Sequence, residues 1–195
     1  MNLTRHRKLL AALGTVALVA VIAGAALFQP WRIFTSSQLD EALPAAAAPS
    51  SIQVESPTAV TRVPSGPPVT QAPAPAPAIL ATGAFQSQEH ATTGTASLLN
   101  LPDGTKVIRL ENLASSDGPD VKVWLSSLEA GGDWFKYRSG KYVDLGAIKA
   151  THGNQNYTVP EGTDISALTT VVLWCDRFSV AFGSAQLTPA PRSAR

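Results

Sequence analysis

The apolar positions of this chain fall into three regimes. Leu9 to Phe28 is roughly twenty residues of Leu, Ala, Val, Ile and Gly without a charge, long enough for a helix that spans a bilayer. From Ser36 to Ala78 the apolar residues are mostly Ala and Val, broken repeatedly by proline. From Leu80 onward they come in short runs separated by Gly, Pro, Asp and Asn, the spacing of strands and turns. Gly83–Gln86 reads as a first strand. Gly94–Leu101 and Thr105–Glu111 flank Pro102-Asp103-Gly104, and Asp-Gly between two apolar runs predicts a hairpin. Val121–Leu128 alternates: Val121, Val123 and Leu125 point one way, Lys122, Trp124 and Ser126 the other, so one face is expected to be buried. Tyr142–Lys149 is a further strand. His152–Asn156 reads as a turn into Tyr157–Val159, and Asp164–Leu168 as one helical turn.

The run Thr169–Leu187 stands apart. Val171, Leu173 and Cys175 share one face, and Val172 and Trp174 the other, because successive side chains of a strand alternate. A strand apolar on both faces is central and covered on both sides. Asp176-Arg177 interrupts it. Ser179–Phe182 resumes as its partner and ends at Gly183, where a bulge or close backbone approach is expected. Short strands with turns between them and no internal repeat give an all-β domain, an antiparallel β-sandwich or barrel-like sheet.

These regimes divide the chain into a basic N-terminus (1–8), a transmembrane signal-anchor helix (9–28), a disordered Pro/Ala-rich linker (29–79), a β domain (80–188) and a disordered tail (189–195). Arg5, Arg7 and Lys8 precede the apolar run and only Arg32 follows closely. That asymmetry places the N-terminus in the cytoplasm and the domain outside, on a single-pass anchor. Ala23-Gly24-Ala25 also fits a signal-peptidase site, so a secreted, cleaved form is the alternative. The linker reads as an extended, semi-rigid stalk.

Charge narrows the function classes. Between Leu80 and Leu187 there are 8 Lys+Arg and 11 Asp+Glu, a net charge of 8 − 11 = −3. Nucleic-acid binding, which needs a basic face, is disfavoured. The chain has 1 Cys, so no intrachain disulfide staples the core. A lone thiol in an exported protein is a candidate for reactivity or intermolecular pairing, and a small buried hydrophobe is the plain alternative. Arg177, two residues on, would favour the thiolate and Asp176 would oppose it.

Other candidates are weaker. A thiolate can ligate haem iron, with Trp174 beside Cys175 as a packing partner, but no C-x-x-C-H for covalent attachment occurs. His90, His152 and Cys175 make an incomplete blue-copper set, since no His follows Cys175 and the single methionine is Met1. His90 and His152 otherwise read as acid/base candidates or as loop histidines. Trp134, Phe135 and Tyr137, with Trp124, form either a binding patch or a cap over the sheet. Asn156-Tyr157-Thr158 and Asn2-Leu3-Thr4 match glycosylation sequons. No nucleophile elbow, phosphate loop, zinc spacing or carboxylate pair is found, so a turnover enzyme is less expected than a redox or binding module.

The order of segments carries a resemblance. Gly83-x-Phe85 with His90 and Gly94, Gly118-Pro119-Asp120-Val-Lys-Val-x-Leu125, and Val143-Asp-Leu-Gly146 with Ile148-Lys149 form its first part. Gly153-Asn-Gln-Asn-Tyr157 with Pro160 follows, and the Trp174-Cys175-x-x-Phe178-x-Val180-x-Phe182-Gly183 run completes it. Together they resemble the DM-thirteen domain family, over about Gly83 to Leu187. The resemblance implies an extracytoplasmic β domain in electron transfer, with Cys175 as redox centre, either as a bare thiol or as ligand to an unidentified prosthetic group. His90 falls on the same pattern. It further implies a redox partner protein, although the DOMON or cytochrome-like domains often joined to relatives do not occur in this chain. The competing expectation is a non-catalytic cell-envelope binding or structural module in which Cys175 is only core.

Overall fold

The computed structural model describes residues 3–29, 31, 35–44 and 76–190; most of the proline-rich linker and the last five residues lie outside the described residues. Among the described residues one α-helix, α1 (Leu3–Phe28), precedes ten strands, with a short 3-10 turn at Lys136–Ser139. They are β1 (Gln38–Asp40), β2 (Ala78–Ser87), β3 (Thr93–Asn100), β4 (Lys106–Ala114), β5 (Val121–Ser126), β6 (Tyr142–Ala147), β7 (His152–Thr158), β8 (Thr170–Cys175), β9 (Val180–Gln186) and β10 (Thr188–Pro189). Among the described residues no helix is long and apolar enough to cross a membrane. The segment expected to be the anchor forms the helix Leu3–Phe28; the side chains of Leu9 and Ala11 lie outside the described set.

The strands form one sheet in the order β1-β7-β4-β3-β2-β9-β8-β5-β6, with β10 added to β2. All pairings from β2 to β10 are antiparallel. β2 is the corner: Ala78–Ala84 pairs with β3 and Phe85–Ser87 pairs with β9. The sheet curls there into a half-barrel, the barrel-like variant of the expected all-β fold. Its two halves enclose a core that includes Leu98, Ile108, Leu110, Val123, Leu125, Val171, Leu173, Cys175 and Phe182.

The Asp103-Gly104 hairpin forms as the sequence predicts. Gly104 adopts φ +88°, a left-handed conformation suited to glycine. Thr105 N–H donates to Asp103 Oδ1 at 2.9 Å. β8 lies between β5 and β9, and all six of its residues are buried. Gly183 does not end β9, which continues to Gln186. It lies at a register shift opposite Leu173 and Trp174, and a Cβ there would come within 2.6 Å of the Thr92 side chain. Close approach is thus the reason for this glycine.

Two expectations are corrected. β5 is not half-buried, since Trp124 and Ser126 are buried as well as the inward valines. The segment 127–141 folds back over its outer face. His152–Asn156 is not a turn but most of β7. Its inward residues Gly153, Gln155 and Tyr157 are buried. Gln155 Nε2 donates to Ala150 O at 2.7 Å, and Tyr157 Oη donates to Gln155 Oε1 at 2.7 Å, so a polar side chain is satisfied inside the sheet. Asp164–Leu168 makes a single i to i+3 turn, with Leu168 N–H bonded to Ile165 O at 3.0 Å.

The largest departure concerns the linker. Gln38–Asp40 is a strand parallel to β7, and Ala78–Ile79 belongs to β2. Segment 35–42 is a strap along the sheet edge. Ser37 N–H donates to Thr151 Oγ1 at 2.9 Å. Asn154 Nδ2 donates to Asp40 Oδ1 at 2.8 Å, and Asn156 N–H to Glu41 Oε2 at 2.6 Å. Lys149 Nζ pairs with Glu41 Oε1 at 2.8 Å. Arg109 Nη1 donates to Ala42 O and to Asn156 Oδ1. The outward polar residues of β7, turn-formers by type, are held extended by these partners. Asn156, the acceptor residue of the second sequon, is engaged under the strap, its Nδ2 donating to Ala42 O at 2.9 Å. At the other end, β10 pairs with β2 through Thr188 and Pro189, so the strand runs one residue into the expected tail.

Two outcomes test this fold. Gly183→Ala forces the new methyl against Thr92 and lowers stability by about 1–3 kcal/mol in denaturant titration; an unchanged midpoint contradicts the close approach. For Glu41, burial acts to raise the carboxyl pKa, but Lys149 and the Asn156 N–H outweigh it and the net shift is downward. Its contribution is present above the unfolded carboxylate pKa and is lost as pH falls through the lowered folded value. Amide-exchange protection of residues 38–41 falls over that acidic window, and Glu41→Gln abolishes the pH dependence while leaving β8 and β9 protected.

Candidate functional site

β8 carries Cys175 inward and Trp174 outward, so the two neighbouring candidates lie on opposite faces of one strand. Cys175 is 0% exposed and packs in the core that holds Val121, Val180 and Phe182. Its Sγ–H donates to Pro119 O at 3.6 Å. Pro119 belongs to the 117–120 turn, where Asp120 adopts φ +79°, a conformation that Asp tolerates better than most side chains. Asp176 N–H donates to Asp120 O at 3.0 Å, locking this turn to the end of β8.

The electrostatics favour the thiol over the thiolate. Burial is the largest influence and raises the Cys175 pKa; backbone N–H groups of Phe178 and Arg177 lower it in part, and the charges of Asp120 and Glu89 raise it. Arg177 acts through its backbone. Its side chain is exposed and lines a cleft of about 450 Å³ with Asp117, Pro119, Asp120, Lys149 and Thr151. The cleft lies over the 117–120 turn and Cys175 does not line it.

His90 sits at the same end of the half-barrel. Its ring meets Phe182 edge-on at 4.0 Å and its Nε2 lies 2.6 Å from Glu89 Oε2. No hydrogen bond joins it to Cys175 among the described residues. His152 is at the strap edge, its Nδ1 bonded to Thr151 Oγ1 at 2.8 Å. Among the described residues no group of three or more His, Cys, Asp or Glu is placed to hold a metal ion. A haem-ligating thiolate needs open space at the sulfur and a stabilised anion. The packed Sγ, capped by Pro119 O and with its pKa raised, does not fit that group.

The outer face of β5, β8 and β9 holds a second cluster of Trp124, Tyr137, Val172, Trp174 and Ala181. Trp124 stacks on Trp174 at 4.9 Å and 22°, and on Tyr142 at 3.9 Å and 8°. Tyr137 meets Trp174 edge-on at 6.3 Å. The Tyr137 hydroxyl is within bonding distance of Ser184 Oγ at 3.0 Å and Gln88 Oε1 at 3.3 Å; burial, the largest influence, raises its pKa. Trp174 Nε1–H donates to Asp176 Oδ1 at 3.1 Å. Asp176 is also held by Lys122 Nζ at 2.6 Å and Arg138 Nη2 at 2.5 Å. Of the loop aromatics, Tyr137 is a cap over the sheet, whereas Trp134 and Phe135 are exposed. Sequence reading grouped Trp124 with Tyr137 as a patch or cap and did not join Trp174 to them. It missed Gln88 and Tyr142; the inward–outward alternation of β5 and β8 was the signal that Trp124 and Trp174 share a face.

Fold and site define a curled, single-sheet β domain with a lone sealed thiol on its inner face and stacked aromatic rings on its outer face. The family model described as Electron transfer DM13 matches residues 84–187. The chain belongs to this family. No curated protein and no solved structure matches the chain.

The thiol's state sets a pH test. Its folded pKa is raised, so its contribution is full below the unfolded thiol value, near 9.0, and is lost as pH rises through the folded value. Wild type loses more stability on alkaline titration than Cys175→Ala does. Tyr157, whose pKa burial pushes up to about 12, contributes equally to both chains, so the difference isolates Cys175. Parallel alkaline profiles contradict the buried-thiol account.

Proposed function

We propose that this chain is a membrane-tethered, extracytoplasmic electron-transfer domain. Membership of the electron-transfer DM13 family over residues 84–187 is the observation that carries the reading. The tether is supported by the uncharged run Leu9–Phe28, the cations Arg5, Arg7 and Lys8 before it, and the helix Leu3–Phe28. Cys175 is the redox candidate implied by the family pattern. A neutral, buried sulfur does not exchange electrons through thiolate attack on a soluble disulfide, which needs an accessible thiolate. Any role of Cys175 therefore runs through the packed protein around it.

A second reading is favoured by that same burial. With the sulfur 0% exposed, Cys175 also fits a core residue of an envelope binding module, contacting its partner through exposed Trp134 and Phe135. Trp174 belongs to the outer cluster and acts on Cys175 only through the strand they share. His90 is placed as a neighbour of the Phe182 ring.

Redox titration of the full chain in its native membrane fraction, beside Cys175→Ser, separates these readings. The substitution costs about 1–3 kcal/mol for a hydroxyl in the core. Electron transfer through Cys175 predicts a reversible one-electron signal in wild type that the folded Ser variant lacks. The same signal in both chains excludes Cys175 as the redox centre, and no signal in either favours the binding module. Protease added to spheroplasts removes the domain, and the retained membrane fragment contains Leu9 to Phe28; a protected domain contradicts the topology.

A further inference from the structure

We propose that the outer aromatic stack is a redox relay, with Tyr142 its solvent end, Trp124 the intermediate and Trp174 the interior site. This rests on the electron-transfer reading and assigns it a route distinct from the thiol. Tyr142 is 41% exposed, Trp124 is 2% exposed and Trp174 is 0% exposed. Their ring centroids are separated by 3.9 and 4.9 Å, with interplanar angles of 8° and 22°. Electron tunnelling falls exponentially with the gap between rings, and here each ring is in contact with the next from solvent to the buried face of β8.

Aromatic rings pair offset-stacked or edge-on with centroids about 4.5–7 Å apart. Tyr142 on Trp124 is nearly parallel and closer than that, at 3.9 Å and 8°. A positive hole is stabilised when two rings in such contact share it. The polar ends differ in a way that suits a relay. Trp124 Nε1 is buried with no hydrogen-bond partner among the described residues, although a buried indole N–H usually has one. With no acceptor, its radical cation keeps its proton and is re-reduced by an electron alone. Trp174 has an acceptor, Asp176 Oδ1 at 3.1 Å; burial acts to raise that carboxyl's pKa, but Lys122, Trp174 and Arg138 outweigh it and lower it, so proton transfer to it is driven by the acidity of the oxidised indole. Arg138 over the ring at 5.9 Å opposes a retained positive charge there and favours the neutral radical.

A one-electron oxidant at the surface, of the class of a metal-centred redox protein, takes one electron through Tyr142 and Trp124. Trp174 supplies that electron to the Trp124 radical cation. The Trp174 N–H bond breaks as its proton passes to Asp176, where an O–H bond forms, leaving a neutral indolyl radical. A one-electron donor of the same class returns the electron, and the proton returns from Asp176 to nitrogen.

The test uses the full chain carrying Lys141→Cys, beside Tyr142, labelled with a ruthenium polypyridyl complex; sealed Cys175 stays unlabelled. Flash oxidation of the label is followed by transient absorption and by electron paramagnetic resonance of the trapped radical. The expected result is a neutral indolyl radical in the parent that Trp174→Phe loses. Trp124→Phe loses the fast formation of that radical, and Trp134→Phe, off the stack, changes nothing. Tyr142→Leu, which leaves the core intact, lowers the yield even if Trp124→Phe does not fold. An indolyl radical formed equally fast in Trp124→Phe or Tyr142→Leu overturns the relay, as does a parent whose tryptophan radical persists in Trp174→Phe. Neither result touches the electron-transfer reading, which fails separately if redox titration of the unlabelled chain shows no electron exchange.

Discussion

A strand that is apolar on both faces must be covered on both faces, and β8 imposes that requirement on the whole domain. Val171, Leu173 and Cys175 require an inner core, which the curled sheet supplies by turning at β2 so that β3, β4 and β7 face β5, β8 and β9. Val172 and Trp174 require an outer one. The segment after β5 folds back and seats Tyr137 against Trp174. Full burial of a large aliphatic side chain is worth about 1.5–3 kcal/mol relative to exposure, so cover on both sides of β8 dominates any single polar contact nearby.

The consequence for chemistry is a partition. Alternation sends the sulfur to the inner side and the indole to the outer side of one strand. The inner side seals the thiol under the 117–120 turn and raises its pKa. The outer side assembles rings that reach solvent at Tyr142. On the outer face the rings run in contact from Tyr142 to Trp174; on the inner face the partly exposed His90 ring meets Phe182.

How far the sequence revealed this depended on where each element finds its partners. The two-sided burial of Thr170–Cys175 was legible because its own residues encode it, and the Asp103-Gly104 hairpin because its turn is local. The burial of Trp124 was not legible: alternation marked it as outward, and the cover comes from a polar loop. His152–Asn156 was read as a turn because Gly and Asn are turn-formers. Its extended form depends on Asp40 and Glu41, more than a hundred residues earlier in the chain, which no local pattern joins to it. The same cause hid β1, a three-residue strand in a stretch read as linker. At the site, the position of Cys175 was legible. The direction of Arg177 was not, because β8 ends at Cys175 and the turn sends the guanidinium outward.

The account stands on the sealing of β8, and the kinetics of Cys175 modification test it most directly. A thiol reagent in excess reports each opening that exposes the sulfur. If both faces of β8 are closed, modification of the native chain proceeds only through global unfolding. The logarithm of its rate then rises with denaturant at the slope that equilibrium unfolding shows. Rapid modification in the absence of denaturant, with no dependence on it at low concentration, would show that the sulfur is reached through the native surface and would contradict the account.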